Sequence, residues 1–262
     1  EGTARASAHV EVRRSSSRLK LRHIVEEMVT TEREYVRSLR YVIAHYFPEM
    51  ERADLPQDLR GKRSVVFGNL EKLLDFHAHI FLQELEACWK HPLRVAHCFL
   101  RHEQFGLYAL YSKNKPKSDA LLASRGLAFF KVRKQRELGD RMDLCSYLLK
   151  PVQRMSKYAL LLDDLIKEAG AAQEAERTSL RTALAAVKFQ LRHGNDLLAM
   201  DAIRRCDVRP PPAESRHPSG PSANGGPTPT AGRPEGAGSA PAPGPLHRLE
   251  REEEARQAGL PL

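Results

Sequence analysis

An all-α fold, an elongated bundle of helices, is what this 262-residue sequence predicts, and three observations carry it. Apolar residues between Leu19 and Asp207 recur at spacings of three and four. No alternating strand pattern and no Asn-Gly hairpin interrupts them. Proline and glycine collect instead near the end, with eleven of the 17 prolines and seven of the 16 glycines between Arg209 and Pro245.

The elements follow in order. Residues 1–18 are polar, rich in Ser and Arg and without a period, and read as a disordered lead-in. Leu21, Val25, Met28, Tyr35, Val36, Leu39, Val42 and Tyr46 predict a first helix of roughly 25 residues, with Pro48 as its stop. Val65, Leu70, Leu73 and Phe76 predict a second from Leu59 to Ile80, which Phe81 to Trp89 continue. Val95 to Tyr111 make a third. The piece Lys113-Asn114-Lys115-Pro116-Lys117 breaks the period and reads as a turn, and Ala120 to Arg136 resume it. Pro151, with a helical φ and no N–H to satisfy, reads as the first turn of a helix bearing Tyr158, Leu161, Leu162 and Leu165. A last helix from about Glu174 to Ile203 places Leu180, Leu184, Val187, Leu191 and Leu198 on one face.

Beyond these helices the composition changes. Residues 209–262 are dominated by Pro, Gly, Ala and Ser, cannot bury enough apolar surface to offset ordering entropy, and read as a disordered tail. Leu246 to Gln257 is too short to hold a helix alone. The Pro-rich part is a candidate ligand for an SH3-type domain, although flexible linker is the commoner meaning of such composition.

Charge and composition exclude several function classes. The net charge is +9, and the stretch Lys113 to Arg136 supplies most of it, with eight basic residues against Asp119 alone. No aromatic platform, zinc-finger spacing or helix-turn-helix pattern accompanies these cations, so nucleic-acid binding is not expected. No apolar run is long enough to cross a membrane, and a cytoplasmic location is expected. Cys88, Cys98, Cys145 and Cys206 form no C-x-x-C pair and read as reduced residues, with no zinc or disulfide role. His77, His79, His91 and His97 lack matching metal ligands and read as surface or packing residues. No nucleophile–base motif or Gly-rich phosphate loop is present, so no covalent chemistry, metal or cofactor is expected.

Three features do point to binding. Lys150, Arg154 and Lys157 fall at steps of four and three, so three cations share one side of a helix, either to meet an anionic surface or as an ordinary solvated face. Glu32 interrupts the apolar stripe of the first helix and must be paired or lie at an exposed groove. Asn195 sits in the stripe of the last helix beside Gly194, where a small residue permits close approach.

The run Leu148 to Leu162, Leu-Leu-Lys-Pro-Val-Gln-Arg-Met-Ser-Lys-Tyr-Ala-Leu-Leu-Leu, resembles the third conserved region of the Dbl-homology (DH) domain of guanine nucleotide exchange factors for Rho-family GTPases. Ile24 to Leu39, with Thr31-Glu32 followed by Tyr35-Val36 and Leu39, is similar to the first region, and Phe105-Gly106-Leu107-Tyr108 to the second. The likeness covers most of Leu19 to Val208. Tyr46 to Met50, Leu107 to Pro116 and Phe189 to Ile203 are similar to the puratrophin-like subgroup, the pleckstrin-homology-domain-containing family G.

The resemblance implies a DH (RhoGEF) domain over residues 19–208 that acts by binding: it stabilises a nucleotide-free Rho, Rac or Cdc-type GTPase so that GDP leaves and GTP enters. It implies that Glu32 meets switch I, and that Lys150, Lys157 and Asn195 engage switch II. Gln153 and Arg154 share the motif, the arginine either touching the partner or bracing neighbouring helices. The basic segment leans toward Rho itself. Residues 209–262 carry no strand signal for the pleckstrin-homology domain that normally follows, so no lipid site is carried over. The competing reading is a helical GTPase- or protein-binding module with little exchange activity, because that domain is absent.

Overall fold

A computed structural model describes residues 2–170 and 173–205. Residues 1–200 form one compact unit and residues 201–262 a second, described only through the end of the last helix. Every regular element among the described residues is helical. The Pro/Gly-rich tail, its SH3 reading and Cys206 lie outside the described residues.

Helix α1 (Gly2–His45) takes in the stretch before Leu19 that carries no apolar period. The physical reason is propagation. No glycine or proline lies between Thr3 and His45, and Ala4, Ala6, Ala8, Glu11 and Arg13 are good helix formers, so the nucleated helix extends back through the polar stretch.

Short turns lead from α1 to α2 (Arg63–Phe67) and α3 (Leu70–Phe76). The break between these two helices, which periodicity reads as continuous, falls at Gly68, whose φ of +57° suits glycine. A wide π-type turn, His77–Phe81, joins α3 to α4 (Leu82–Ala87). Leu73, His77, Phe81 and Leu85 are all fully buried, although three steps of four would drift about 120° around a regular helix. The wider turn removes part of that drift and keeps the four side chains inward.

Next come α5 (Val95–Leu100) and α6 (Leu107–Leu121), separated by an extended His102 where the sequence reads one helix. Two further π-type turns carry α6 into α7 (Leu127–Phe130) and α8 (Arg136–Leu138). The expected turn at Lys113–Lys117 is therefore helix, with Pro116 inside it. Tertiary bonds override the local signal: Tyr111 donates to the Leu148 carbonyl at 2.6 Å, Ser118 donates to the Val66 carbonyl, and buried Lys115 pairs with Asp119.

Pro151 likewise does not start its helix. It lies inside α9 (Leu144–Glu168), which is capped by Asp143, whose Oδ1 accepts from the Ser146 N–H at 2.8 Å. An interior proline costs about 3 kcal/mol, and burial of Leu148, Val152 and Met155 around it offsets that cost. The last described element is α10 (Glu174–Arg205).

Helix α9 runs antiparallel to α1, as the cross-helix pairs show. Ser17 and Lys20 meet Glu168 at 2.7 and 3.2 Å, Glu27 meets Lys157 at 2.6 Å, Glu32 meets Arg154 at 2.7 Å, and Ser38 meets Lys150 at 2.7 Å. Helix α6 binds α9 through Tyr111 and receives α10 at Gly194, where a Cβ would lie 2.8 Å from Ser112 Cβ and 3.5 Å from Ala109 Cα. Phe81, Phe99, Phe105 and Tyr158 fill the interior with ring centroids 5.1–6.3 Å apart.

This contact generates the first prediction. Gly194→Leu, although it favours helix, should lower unfolding free energy by about 1–3 kcal/mol in urea titration through overpacking against α6. Pairing it with Ser112→Gly should recover part of the loss.

Candidate functional site

The centre of the α1–α9 seam is a buried polar cluster. Glu32 is fully enclosed, because its place between Met28 and Tyr35 on the apolar stripe of α1 turns it toward α9. Arg154 meets it with a forked contact, Nη2 at 2.7 Å and Nε at 3.0 Å from Oε2. The same guanidinium donates to Thr31 Oγ1 at 2.7 Å and to the Met28 carbonyl at 3.1 Å. Tyr158 donates its hydroxyl to Oε2, while His77 Nδ1 lies 2.6 Å from Oε1. His77 Nε2 shares a 2.8 Å hydrogen bond with Tyr108, which donates to Tyr35 at 3.0 Å. Every polar group of the cluster thus has a partner, as burial demands.

The electrostatics follow from this geometry. Burial alone would push the Glu32 carboxyl up, but His77, Arg154 and Tyr158 outweigh it and hold the group below its ordinary value of 4.5. The hydroxyls of Tyr35, Tyr108 and Tyr158 are driven far up, chiefly by burial, and stay protonated donors. The Arg154 guanidinium also lies over the Tyr158 ring, 4.3 Å from its centroid.

The expected row of three cations divides in two. Arg154 turns inward and is 5% exposed, so it braces α1 against α9. Lys150 and Lys157 stay within reach of solvent, yet α1 already engages both. Lys150 donates to Ser38 and lies over the Tyr147 ring at 5.6 Å, with its ammonium pulled down by burial against the opposing field of Glu34. Lys157 pairs with Glu27, and both side chains are substantially exposed, at 38% and 50%. Gln153 is exposed between them, and Asn195 is half-buried on α10 beside the close contact of Gly194.

Glu32 differs from the other expected contact residues: both of its oxygens are enclosed in this structure and engaged by internal partners. The reason is Arg154: bringing its cation into the seam requires a matching anion there. Sequence reasoning also missed His77, Glu27 and Ser38. His77 sits four residues from both Leu73 and Phe81, which marked it as inward-facing, but nothing in the sequence joined it to Glu32. Glu27 and Ser38 carried no signal until α9 was laid beside α1. Among the described residues, no group of three or more His, Cys, Asp and Glu is arranged to hold a metal, and no helix is long and apolar enough to cross a membrane.

Two predictions follow. Glu32→Gln preserves shape but leaves Arg154 buried without its anion, and should cost about 3–5 kcal/mol of stability in denaturant titration. Because the folded Glu32 value lies below the ordinary 4.5, its contribution is complete above that pH and is lost as pH falls through the folded value. Thermal melts of Glu32→Gln should accordingly depend less on pH in the acid range than those of the unaltered chain.

Comparison with known proteins agrees with this architecture. The sequence model of the RhoGEF domain matches residues 24–195. Human pleckstrin homology domain-containing family G member 4B is 69% identical over 192 residues, covering 72% of this chain and 12% of that protein. Human puratrophin-1 is 63% identical over 196 residues, covering 74% of this chain and 16% of that protein. The chain therefore spans less than a fifth of these relatives. A solved structure of the Vav1 exchange factor superposes with a TM-score of 0.61 at 26% identity, covering 72% of this chain and 52% of that one. With helices as every regular element described in its matched region, the chain belongs to the RhoGEF (Dbl-homology) domain family and matches the puratrophin-like subgroup.

Proposed function

We propose that this chain is a guanine nucleotide exchange factor for a Rho-family small GTPase, acting through the exposed groups of α1, α9 and α10. The observation that carries the proposal is the Lys157–Glu27 pair, an exposed ion pair on the α1–α9 seam. Such a pair is worth only about 0–1 kcal/mol, so a partner can divide it at little cost, taking Lys157 with an acidic group and Glu27 with a donor. Lys150, Gln153 and Asn195 add donors, while Glu32 and Arg154 position α1 against α9 without touching the partner. A relative of this fold, PDZ-RhoGEF, has been solved as DH/PH domains in complex with activated RhoA, which supports a Rho-type GTPase as the partner.

The mechanism requires no covalent step. A GTPase that binds this surface more tightly when empty than when loaded must hold its nucleotide more weakly by the same factor. Each ~1.4 kcal/mol of difference accelerates release about tenfold, and a charge-assisted hydrogen bond contributes about 1.5–3 kcal/mol. Two or three such contacts to the switch loops, made only in the empty state, give a large acceleration.

Release of a fluorescent guanine nucleotide from purified Rho, Rac and Cdc-type GTPases tests the proposal. One of them should release nucleotide faster with the full chain, and Lys157→Ala/Asn195→Ala should lose at least about tenfold of that acceleration while its helical circular dichroism persists. Binding of a GTPase without faster release would instead make the chain a helical interaction module.

A further inference from the structure

We propose that Cys88 and Cys98 are a reversible dithiol–disulfide couple, a modification site oxidised by peroxide. Cys88 opens the turn Cys88–Lys90 that follows α4, and Cys98 lies in α5. Their sulfur atoms are 3.5 Å apart, and both thiols are free. The two cysteines are only 8% and 5% exposed, so a cross-link between them is favoured over adducts with larger thiols. The sulfurs need to close to about 2.05 Å, a movement on the scale of a side-chain adjustment. In a reducing compartment such bonds are transient and serve redox sensing, so a couple of this kind responds to oxidant instead of holding the fold together.

The two thiols have distinct roles. The hydrogen bond shared with Cys98 is the main cause that holds the Cys88 thiol below its ordinary value, against burial and Glu84 and with help from Arg94 and Arg101. The Cys98 thiol is pushed up by the same contact and by burial. Cys88, the more exposed of the two and near the cations Arg94 and Arg101, is the attacking sulfur. Its thiolate attacks one peroxide oxygen, the O–O bond breaks, and hydroxide leaves and takes up a proton, which makes Cys88 a sulfenic acid. The Cys98 sulfur then loses its proton and attacks the Cys88 sulfur; the S–S bond forms, the S–O bond breaks, and water leaves. The two thiols lose two electrons and two protons, and hydrogen peroxide is reduced to two waters.

A reporter lies beside the couple. Trp89 is the chain's single tryptophan, adjoins Cys88 and is 46% exposed. It lies in a shallow hollow with Val29, Thr30 and Arg33 of α1, and Arg33 pairs with Glu86 of α4 at 2.7 Å. A bond between Cys88 and Cys98 therefore fastens the α4–α5 corner beside the stretch of α1 that carries Glu27 and Glu32.

The test treats the full chain with a small excess of hydrogen peroxide, then maps non-reduced peptides and follows Trp89 emission. Expected are a cross-linked Cys88–Cys98 peptide, loss of two of the four thiols, and quenched emission, all reversed by dithiothreitol, with the same cross-link and quenching in Cys145→Ser, which loses two of its three thiols. Cys98→Ser should instead accumulate a sulfenic acid on Cys88 that dimedone traps, and Cys98→Ala serves if the serine variant fails to fold. Cross-links to Cys145 or Cys206, dimedone adducts on Cys88 and Cys98 of the unaltered chain without a bond between them, or oxidation only in urea would overturn the proposal.

Discussion

The ion pair between Glu32 and Arg154 is the constraint on which the rest of the structure depends. It joins the two helices that carry the family motif runs, and His77 and Tyr158 complete it from the π-type turn and from α9 itself. A buried pair of this kind adds little net stability over apolar residues of equal volume, whereas parting it strands a charge in the interior. Its consequence here is register. If α9 slid one turn along α1, Arg154 would face apolar side chains, and Lys157 and Lys150 would lose Glu27 and Ser38 together.

With that register set, the cations of α9 separate into fixed and exchangeable groups. Arg154 is committed to the interior by its fork onto Glu32, its bond to the Met28 carbonyl and the Tyr158 ring beneath it. Lys157 holds a partner that solvent already screens, and Lys150 is bound to a hydroxyl, a neutral group that any carboxylate can outcompete. The same helix therefore supplies both the brace and the groups free to change partners. This division suits a surface whose proposed task is to bind tightly without first unfolding its own core.

The π-type turn at His77–Phe81 has a related role. A regular helix through α3 and α4 would carry His77 and Phe81 progressively away from the interior. The wider turn keeps the imidazole against Glu32 and the ring of Phe81 among Phe99, Phe105 and Tyr158. A polar network and an aromatic core thus meet at one irregular turn.

Much of this was readable from residue order. The three- and four-residue spacing of Val25, Met28, Val36, Leu39 and Val42, and of Tyr158, Leu161, Leu162 and Leu165, determined that the chain is helical and which faces are buried, because apolar burial repeats with the helical turn. The motif runs likewise determined the family. Local signals failed where long-range contacts outweighed them: Pro116 and Pro151 lie inside helices because burial and cross-helix bonds offset one missing N–H each. Only the tertiary structure decided that Glu32 closes on Arg154 and His77, that Lys157 rests on Glu27, and that Cys88 lies beside Cys98. Each of these joins residues on separate turns or helices, and local periodicity sets which way a side chain faces but not what it meets.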